Sequence, residues 1–467
     1  CKYSVLQYLQ LYLYSDRWIS LSVKANYQFS VLCSFLQFIQ NFVNETFLER
    51  WGIQLRVYEV TLIWTFIVSI FSLGGFIGAL IAGPMSVRFG RKKTMLLNNV
   101  FLLSSSLLAL LSRTAKSFEM IIISRFLVGI NAGTVCPMYF GESAPKHLRW
   151  AVSLSSAVFT SFGLVLGQVV SLRELLSSEP CWQYLFASNA IPGLIQLLTL
   201  PWFPESPRYL LIDCGDKEAC QWVQREELDE ILQEQNETKG ERAKQLWELF
   251  TDRSVRWQLI TVAVLSSVMQ LCGNDSIYFY ASYVFQEAGI SAEQIQYVTI
   301  GTGMCEFTAC ILCVSLPLIC YRLCNCPRTI QNMVTWMPYL SMTCIFTYIL
   351  SFGMGPVTGI LPTEIFNQTT HPATYMAAGS LMWLNLFIIG MIFPFLVSGL
   401  GQYCFVPFGA VCLLTASYIQ MVLPETKRKT LSMITKEFYR LSYHGQVKMD
   451  PEGKQCSVAP FTMIPIR

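Results

Sequence analysis

The residues that invite a chemical reading are few and unusually placed. Gln270 closes an otherwise apolar run, Asp275 follows five positions later, and Glu306 stands inside another apolar stretch. An unpaired amide in hydrocarbon is costly by several kcal/mol, and carboxylates inside a membrane mark solute or ion pathways by default. Such groups exchange hydrogen bonds and protons, so they point to binding or proton carriage. Gln270 also admits a plainer reading as an interhelical hydrogen bond. A second set is charged and lies between apolar runs: Arg91, Glu142, Arg149, Glu205, Arg208, Glu364 and Glu425. The sequence holds no paired acid–base set, nucleophile elbow or phosphate-binding loop, so neither enzyme activity nor a cofactor is expected.

These residues need elements to hold them. Of 467 residues, 53% are apolar and 13% charged, whereas an ordinary soluble chain carries about 25% charge. Residues 60–87, 94–112, 150–172, 181–204, 257–274 and 329–363 contain no Asp, Glu, Lys, Arg or His. Residues 372–423 continue the pattern for 52 positions. A helix crosses the hydrocarbon core with about 20 apolar residues, so this last run reads as two spans turning at Gly399-Leu400-Gly401-Gln402. The runs are too continuous for barrel alternation. An all-α polytopic membrane protein follows, with the lipid bilayer as its solvent.

Basic residues cluster after alternate spans: Arg88, Arg91, Lys92 and Lys93, then Lys146 and Arg149, then the charged stretch 205–256, then Lys427, Arg428 and Lys429. The positive-inside bias places these loops and both termini in the cytoplasm. The expected divisions are an N-terminal segment 1–24, a membrane half 25–204, a helical cytoplasmic linker 205–256, a second half 257–423 and a tail 424–467. Lys2, Asp16, Arg17 and Lys24 break up residues 1–24, so no cleavable signal peptide is read there. Asn44-Glu45-Thr46 is a glycosylation sequon on the non-cytoplasmic side. The net charge of +3 points to no nucleic-acid partner. The cysteines scatter singly through apolar runs, and Cys320, Cys324 and Cys326 lack the second ligand pair of a zinc site, so no metal is expected.

An internal repeat divides the chain. Glu142 and Arg149 are seven residues apart, as are Glu364 and His371; Pro204-Glu205-Ser206 matches Pro424-Glu425-Thr426. The offsets are 222 and 220 residues, which suits two parallel repeats about an axis along the membrane normal.

Gly90-Arg91-Lys92-Lys93, Glu142-Ser143-Ala144-Pro145-Lys146-His147-Leu148-Arg149, Pro204-Glu205-Ser206-Pro207-Arg208 and Pro424-Glu425-Thr426-Lys427 together resemble the signature set of the sugar porter family of the major facilitator superfamily. The run from Gln270 to Tyr280 resembles the hexose-binding seventh span of facilitative glucose transporters. Gly129-Ile130-Asn131-Ala132-Gly133 and the run from Tyr209 to Asp216 resemble the class II branch. The resemblance implies a major facilitator fold of two six-helix halves and facilitative uniport of hexose, fructose and glucose, by alternating access in the cell membrane. It implies sugar contacts at Gln270, Asp275, Glu306 and Trp383, with Met269 replacing the first of two paired Gln. Tyr278, Phe279 and Tyr280 would form the outer gate. The charged set would be cytoplasmic ion pairs holding the outward-facing state. Proton-coupled symport is the alternative, with Asp275 or Glu306 as the proton site. The family's symporters carry an acid in the first span, and residues 25–44 have none.

Departures from the pattern are equally specific. Asp275 and Glu306 replace asparagines, and Ala157 and Gly359 fall where polar or indole contacts are expected. Asn26, Gln28, Gln37, Gln40 and Asn41 make 25–44 a poor first span. Glu142 follows Arg91 by 51 positions, room for two spans, but Glu364 follows Arg328 by only 36. Two spans of about 20 do not fit there. The ninth span is therefore read as lost or truncated, which leaves a non-transporting form as a further alternative.

Overall fold

The computed structural model describes residues 36–133, 149–172, 182–202, 255–273, 294–319, 370–400 and 406–422, with short pieces at 139, 174–175, 205–206, 209–213, 246–251, 280, 285, 291, 365–366 and 438. The described elements are helical: α1 Leu36–Trp51, α2 Val57–Phe89, α3 Arg91–Ser112, α4 Phe118–Ala132, α5 Arg149–Val170, α6 Trp182–Ala187, α7 Ala190–Thr199, α8 Leu246–Thr251, α9 Arg256–Leu271, α10 Ile295–Ile319, α11 His371–Leu400 and α12 Val406–Val422. Among the described residues, three helices are long and apolar enough to cross a membrane by length and composition: Tyr58–Phe89, Arg91–Ser112 and Ala373–Leu396.

Local chemistry sets the helix ends. Glu59 Oε2 accepts the Arg56 N–H at 2.8 Å and starts α2. Gly90 at φ +87° ends α2 and opens α3 without a break in the chain. Few residues other than glycine adopt that φ. Gly52, at φ +65°, ends α1 with its N–H on the Leu48 carbonyl at 3.0 Å.

One expectation from sequence is corrected. The charge-free run 181–204 is not one helix but α6 and α7, divided at Ser188 and Asn189. Pro192 has no N–H for the Ser188 carbonyl; the Ile191 N–H takes it instead at 3.0 Å, a tighter turn. Of the expected first span 25–44, residues 25–35 lie outside the described residues and the remainder belongs to α1, Leu36–Trp51. Its Ile39 and Val43 bury against Trp64, Ile67 and Phe71. The final run divides into two helices, α11 ending at Leu400 within Gly399-Leu400-Gly401-Gln402 and α12 opening at Val406. The run 329–363, read as too short for both a ninth and a tenth span, lies outside the described residues.

Helices α2 and α4 meet through glycine. A Cβ on Gly74 would strike the Phe126 carbonyl, one on Gly129 the Phe71 carbonyl, and one on Gly133 the Gly75 carbonyl. Small residues let two backbones touch, which is how membrane helices associate without a hydrophobic drive. Polar pairs join α3 to α4. Asn98 Nδ2 donates to the Asn131 carbonyl and Asn131 Nδ2 to the Asn98 carbonyl, each at 2.7 Å, and Ser105 and Ser124 share a hydrogen bond at 3.0 Å. Among the described residues, the two halves meet chiefly where α2 packs on α11 and α5 on α10.

Candidate functional site

Gln270 is the last-but-one residue of α9, and its side chain is 4% exposed. Its Oε1 has no hydrogen-bond partner among the described residues. The helix ends just beyond it. Gly273 N–H donates to the Gln270 carbonyl at 3.1 Å, and Gly273 takes φ +89°, turning the chain toward Asp275. Met269 is half-buried, and its carbonyl accepts the Cys272 thiol at 3.2 Å. A Cβ on Gly273 would meet the Phe408 ring at 3.0 Å, so α9 ends against α12.

Tyr280 is tied to α11. Its ring stacks on Phe393 at 5.2 Å and its hydroxyl donates to the Gly390 carbonyl at 2.8 Å. Asp275, Tyr278 and Phe279 lie outside the described residues. Trp383, also on α11, lies against Gly75 of α2 so closely that a Cβ there would meet its Cε3 at 2.5 Å. The Phe71 ring meets the same indole edge-on at 5.5 Å. Asn385, two residues on, donates to Ser267 Oγ of α9 at 3.1 Å. Trp383 therefore sits where α2, from the first half, meets α11, which α9 braces.

Glu306 occupies the other inter-half pair. It is half-buried on α10, and Ser161 Oγ of α5 donates to its Oε1 at 3.4 Å. Phe162 and Phe307 flank this contact with ring centroids 5.8 Å apart. One turn away on α10, Gly303 leaves room for Gln168 of α5, whose Oε1 also has no hydrogen-bond partner among the described residues. Sequence analysis did not single out Gln168. A buried amide in an apolar run, read as Gln270 was, would have singled it out.

Arg125 was likewise missed. It is 1% exposed in α4, its guanidinium 4.8 Å from the centroid of the Phe71 ring. Arg125 and Glu119 interrupt the apolar run 118–132, so a search for charge-free segments passes over α4. The signal was the charge itself, at a depth where charges are functional by default.

In the charged set, Glu205 Oε1 accepts the backbone N–H groups of Arg91 at 3.0 Å and Lys92 at 2.9 Å. The carboxylate thus caps the positive end of α3, while the Arg91 guanidinium lies over the Tyr209 ring at 5.0 Å. Gly90 leaves room for both, since a Cβ there would meet Glu205 Oε2 at 2.6 Å and Tyr209 Cε1 at 2.9 Å. Arg149 opens α5. Glu142, Arg208, Glu364 and Glu425 lie outside the described residues. Asn44 falls inside α1, where its Oδ1 accepts the Leu55 N–H at 3.3 Å.

Comparison with known proteins gives this geometry a family. The profile described as "Sugar (and other) transporter" matches residues 19–438. The chain belongs to the sugar transporter family. It is 47% identical to human solute carrier family 2, facilitated glucose transporter member 11, with 89% of this chain and 90% of that protein covered. It is 39% identical to member 5 of Bos taurus, with 90% of each covered. Among solved structures, the proton:xylose symporter XylE bound to 6-bromo-6-deoxy-D-glucose superposes with TM-score 0.70 at 21% identity, covering 92% of this chain and 99% of that one. The fold is that of the major facilitator superfamily, and the protein is a multi-pass membrane protein. The alignment to human member 11 runs over 447 positions, whereas 89% of 467 residues is about 416. About 31 aligned positions therefore lack a counterpart here, more than the roughly 20 residues of one membrane helix.

Proposed function

We propose that this sugar transporter carries hexose, fructose and glucose, by energy-independent uniport through alternating access. One observation carries the reading: the carboxamide oxygens of Gln270 and Gln168 are buried with no hydrogen-bond partner among the described residues. Buried acceptors in folded proteins generally have partners, and a ring of hydroxyls is a ligand that supplies donors to several at once. Trp383 offers an apolar face, and Glu306 an acceptor for two hydroxyls. The α2–α11 contact sets Gly75 against Trp383, and the α5–α10 contact combines the Phe162–Phe307 ring pair with a long Ser161–Glu306 hydrogen bond, both suited to parting and re-forming. The relatives' names, facilitated glucose transporters, agree with this reading. Asp275 serves as a further sugar contact, and Tyr278, Phe279 and Tyr280 as the outer gate. The basic loops and both termini face the cytoplasm, where Arg91, Glu142, Arg149, Glu205, Arg208, Glu364 and Glu425 form a latch between the halves. A network of this kind needs only a few kcal/mol to bias a two-state equilibrium.

Counter-flow of labelled hexose into proteoliposomes tests the reading: fructose and glucose should exchange, and a protonophore should leave the rate unchanged. Glu306, a carboxylate at an inter-half contact, supports proton-coupled symport as the second reading, and protonophore-sensitive accumulation would establish it. The missing aligned positions support a third, that the chain as it stands does not transport. No counter-flow, restored by inserting a ninth span, is its signature.

A further inference from the structure

The short helix between the halves has an apolar face that the bundle does not cover. In α8, Leu249 is completely buried against Leu259 of α9, Ala373 of α11, and Phe438. Trp247 and Phe250, three residues apart on one flank, are 79% and 57% exposed. We propose that α8 lies in the headgroup zone of the bilayer, with Trp247 and Phe250 inserted among the lipids.

Three observations select lipid as the occupant. The first is depth. Leu259 and Ala373 belong to the first turns of α9 and α11, and Ile419, from the last turn of α12, packs on the same core. The buried side of α8 is thus level with the ends of three helices of the membrane bundle. At that level amphipathic aromatic rings concentrate, one side apolar and the other wet. The second is continuity. Met421, two residues beyond Ile419, is itself strongly exposed, so the lipid-facing flank of α12 reaches the same end. In the first half Trp202, 84% exposed, follows α7, and the adjacent Pro201 carbonyl accepts Lys92 Nζ at 2.8 Å. The third is charge. Residues 239–256 carry Lys239, Arg242, Lys244, Arg253 and Arg256 against Glu241, Glu248 and Asp252, a net positive segment that complements anionic headgroups. An aromatic pair exposed to water within so polar a segment would have no such compensation.

The inference rests on the membrane bundle and not on transport, so a chain that carries no sugar still tests it. The whole protein is reconstituted in vesicles of phosphatidylcholine and phosphatidylserine whose acyl chains carry bromine at a shallow or a deep carbon. The emission lost in Trp247→Tyr, relative to the unsubstituted protein, isolates the Trp247 signal. That signal should be quenched about twofold or more by the shallow bromines over the deep ones, and iodide in the water should leave it nearly unchanged. Adding Phe250→Trp on the Trp247→Tyr background should restore a signal with the same ranking, which guards against misfolding of one variant. Quenching by iodide with indifference to bromine would put the face in water. Indifference to both quenchers would show that protein covers it. Either result overturns the proposal.

Discussion

Replacing Gly75 by alanine probes the contact between the halves. The new Cβ would lie 2.5 Å from Cε3 and 2.8 Å from Cε2 of Trp383, where ordinary contact begins at 3.4 Å. Neither side yields easily. Behind Gly75, α4 is in backbone contact, with Gly133 packed so that even its own Cβ would lie 2.9 Å from the Ala79 nitrogen. Beside Trp383, the Phe71 ring stands at 80° to the indole and blocks its tilt. Relief requires α2 and α11 to part by about 1 Å, and overpacking of this kind is destabilising by about 1–3 kcal/mol. The assay is the thermal midpoint of the purified protein with and without the substitution, in the native background and in Trp383→Ala. If the indole is the obstacle, Gly75→Ala lowers the midpoint only where Trp383 is present, and the double-mutant coupling approaches about 1–3 kcal/mol. An equal drop in both backgrounds would refute the reasoning.

Gln270→Ala should slow hexose counter-flow by about tenfold, since a lost hydrogen-bond partner of about 1.4 kcal/mol is a factor of ten. The thermal midpoint should hold, because the amide oxygen it removes has no partner among the described residues; unchanged counter-flow would return Gln270 to a packing role. Glu205→Ala removes the cap on Arg91 and Lys92 and should lower stability by about 0.5–2 kcal/mol, measured as a shift in the thermal midpoint, with Glu205→Asp recovering part of it. Inserting a ninth span of about 20 residues should raise surface expression and uptake together. Labelling Lys427→Cys from the cytoplasm reports the topology, and robust uptake by the unmodified chain with a cytoplasmic tail would count against the need for that span. Treatment with an endoglycosidase should increase gel mobility if Asn44 is modified during synthesis, and Asn44→Gln should abolish the increase.

The membrane class, the bulk of the spans and the division into halves were legible because each depends on local properties. A run without charge must bury its backbone in a helix wherever lipid surrounds it. Signature motifs such as Gly90-Arg91-Lys92-Lys93 carried the family for a similar reason, since the turn at Gly90 is specified by a short stretch. Helix α4 was harder to see because Arg125 and Glu119 mimic a polar loop in one dimension, although Arg125 is buried in three.

What the tertiary structure decided is which face of each helix meets which partner. In water a helix buries its apolar stripe, so periodicity names the inner face. In lipid the tails are as apolar as leucine, and that signal vanishes. Nothing local tells Gly75, against the indole of a residue 308 positions away, from Gly74, against α4. The same holds for Gln168, whose value as a candidate ligand appears only when Gly303 of the other half makes room for it. The candidate ligands belong to contacts between segments far apart in the chain, and only the packed bundle brings them together.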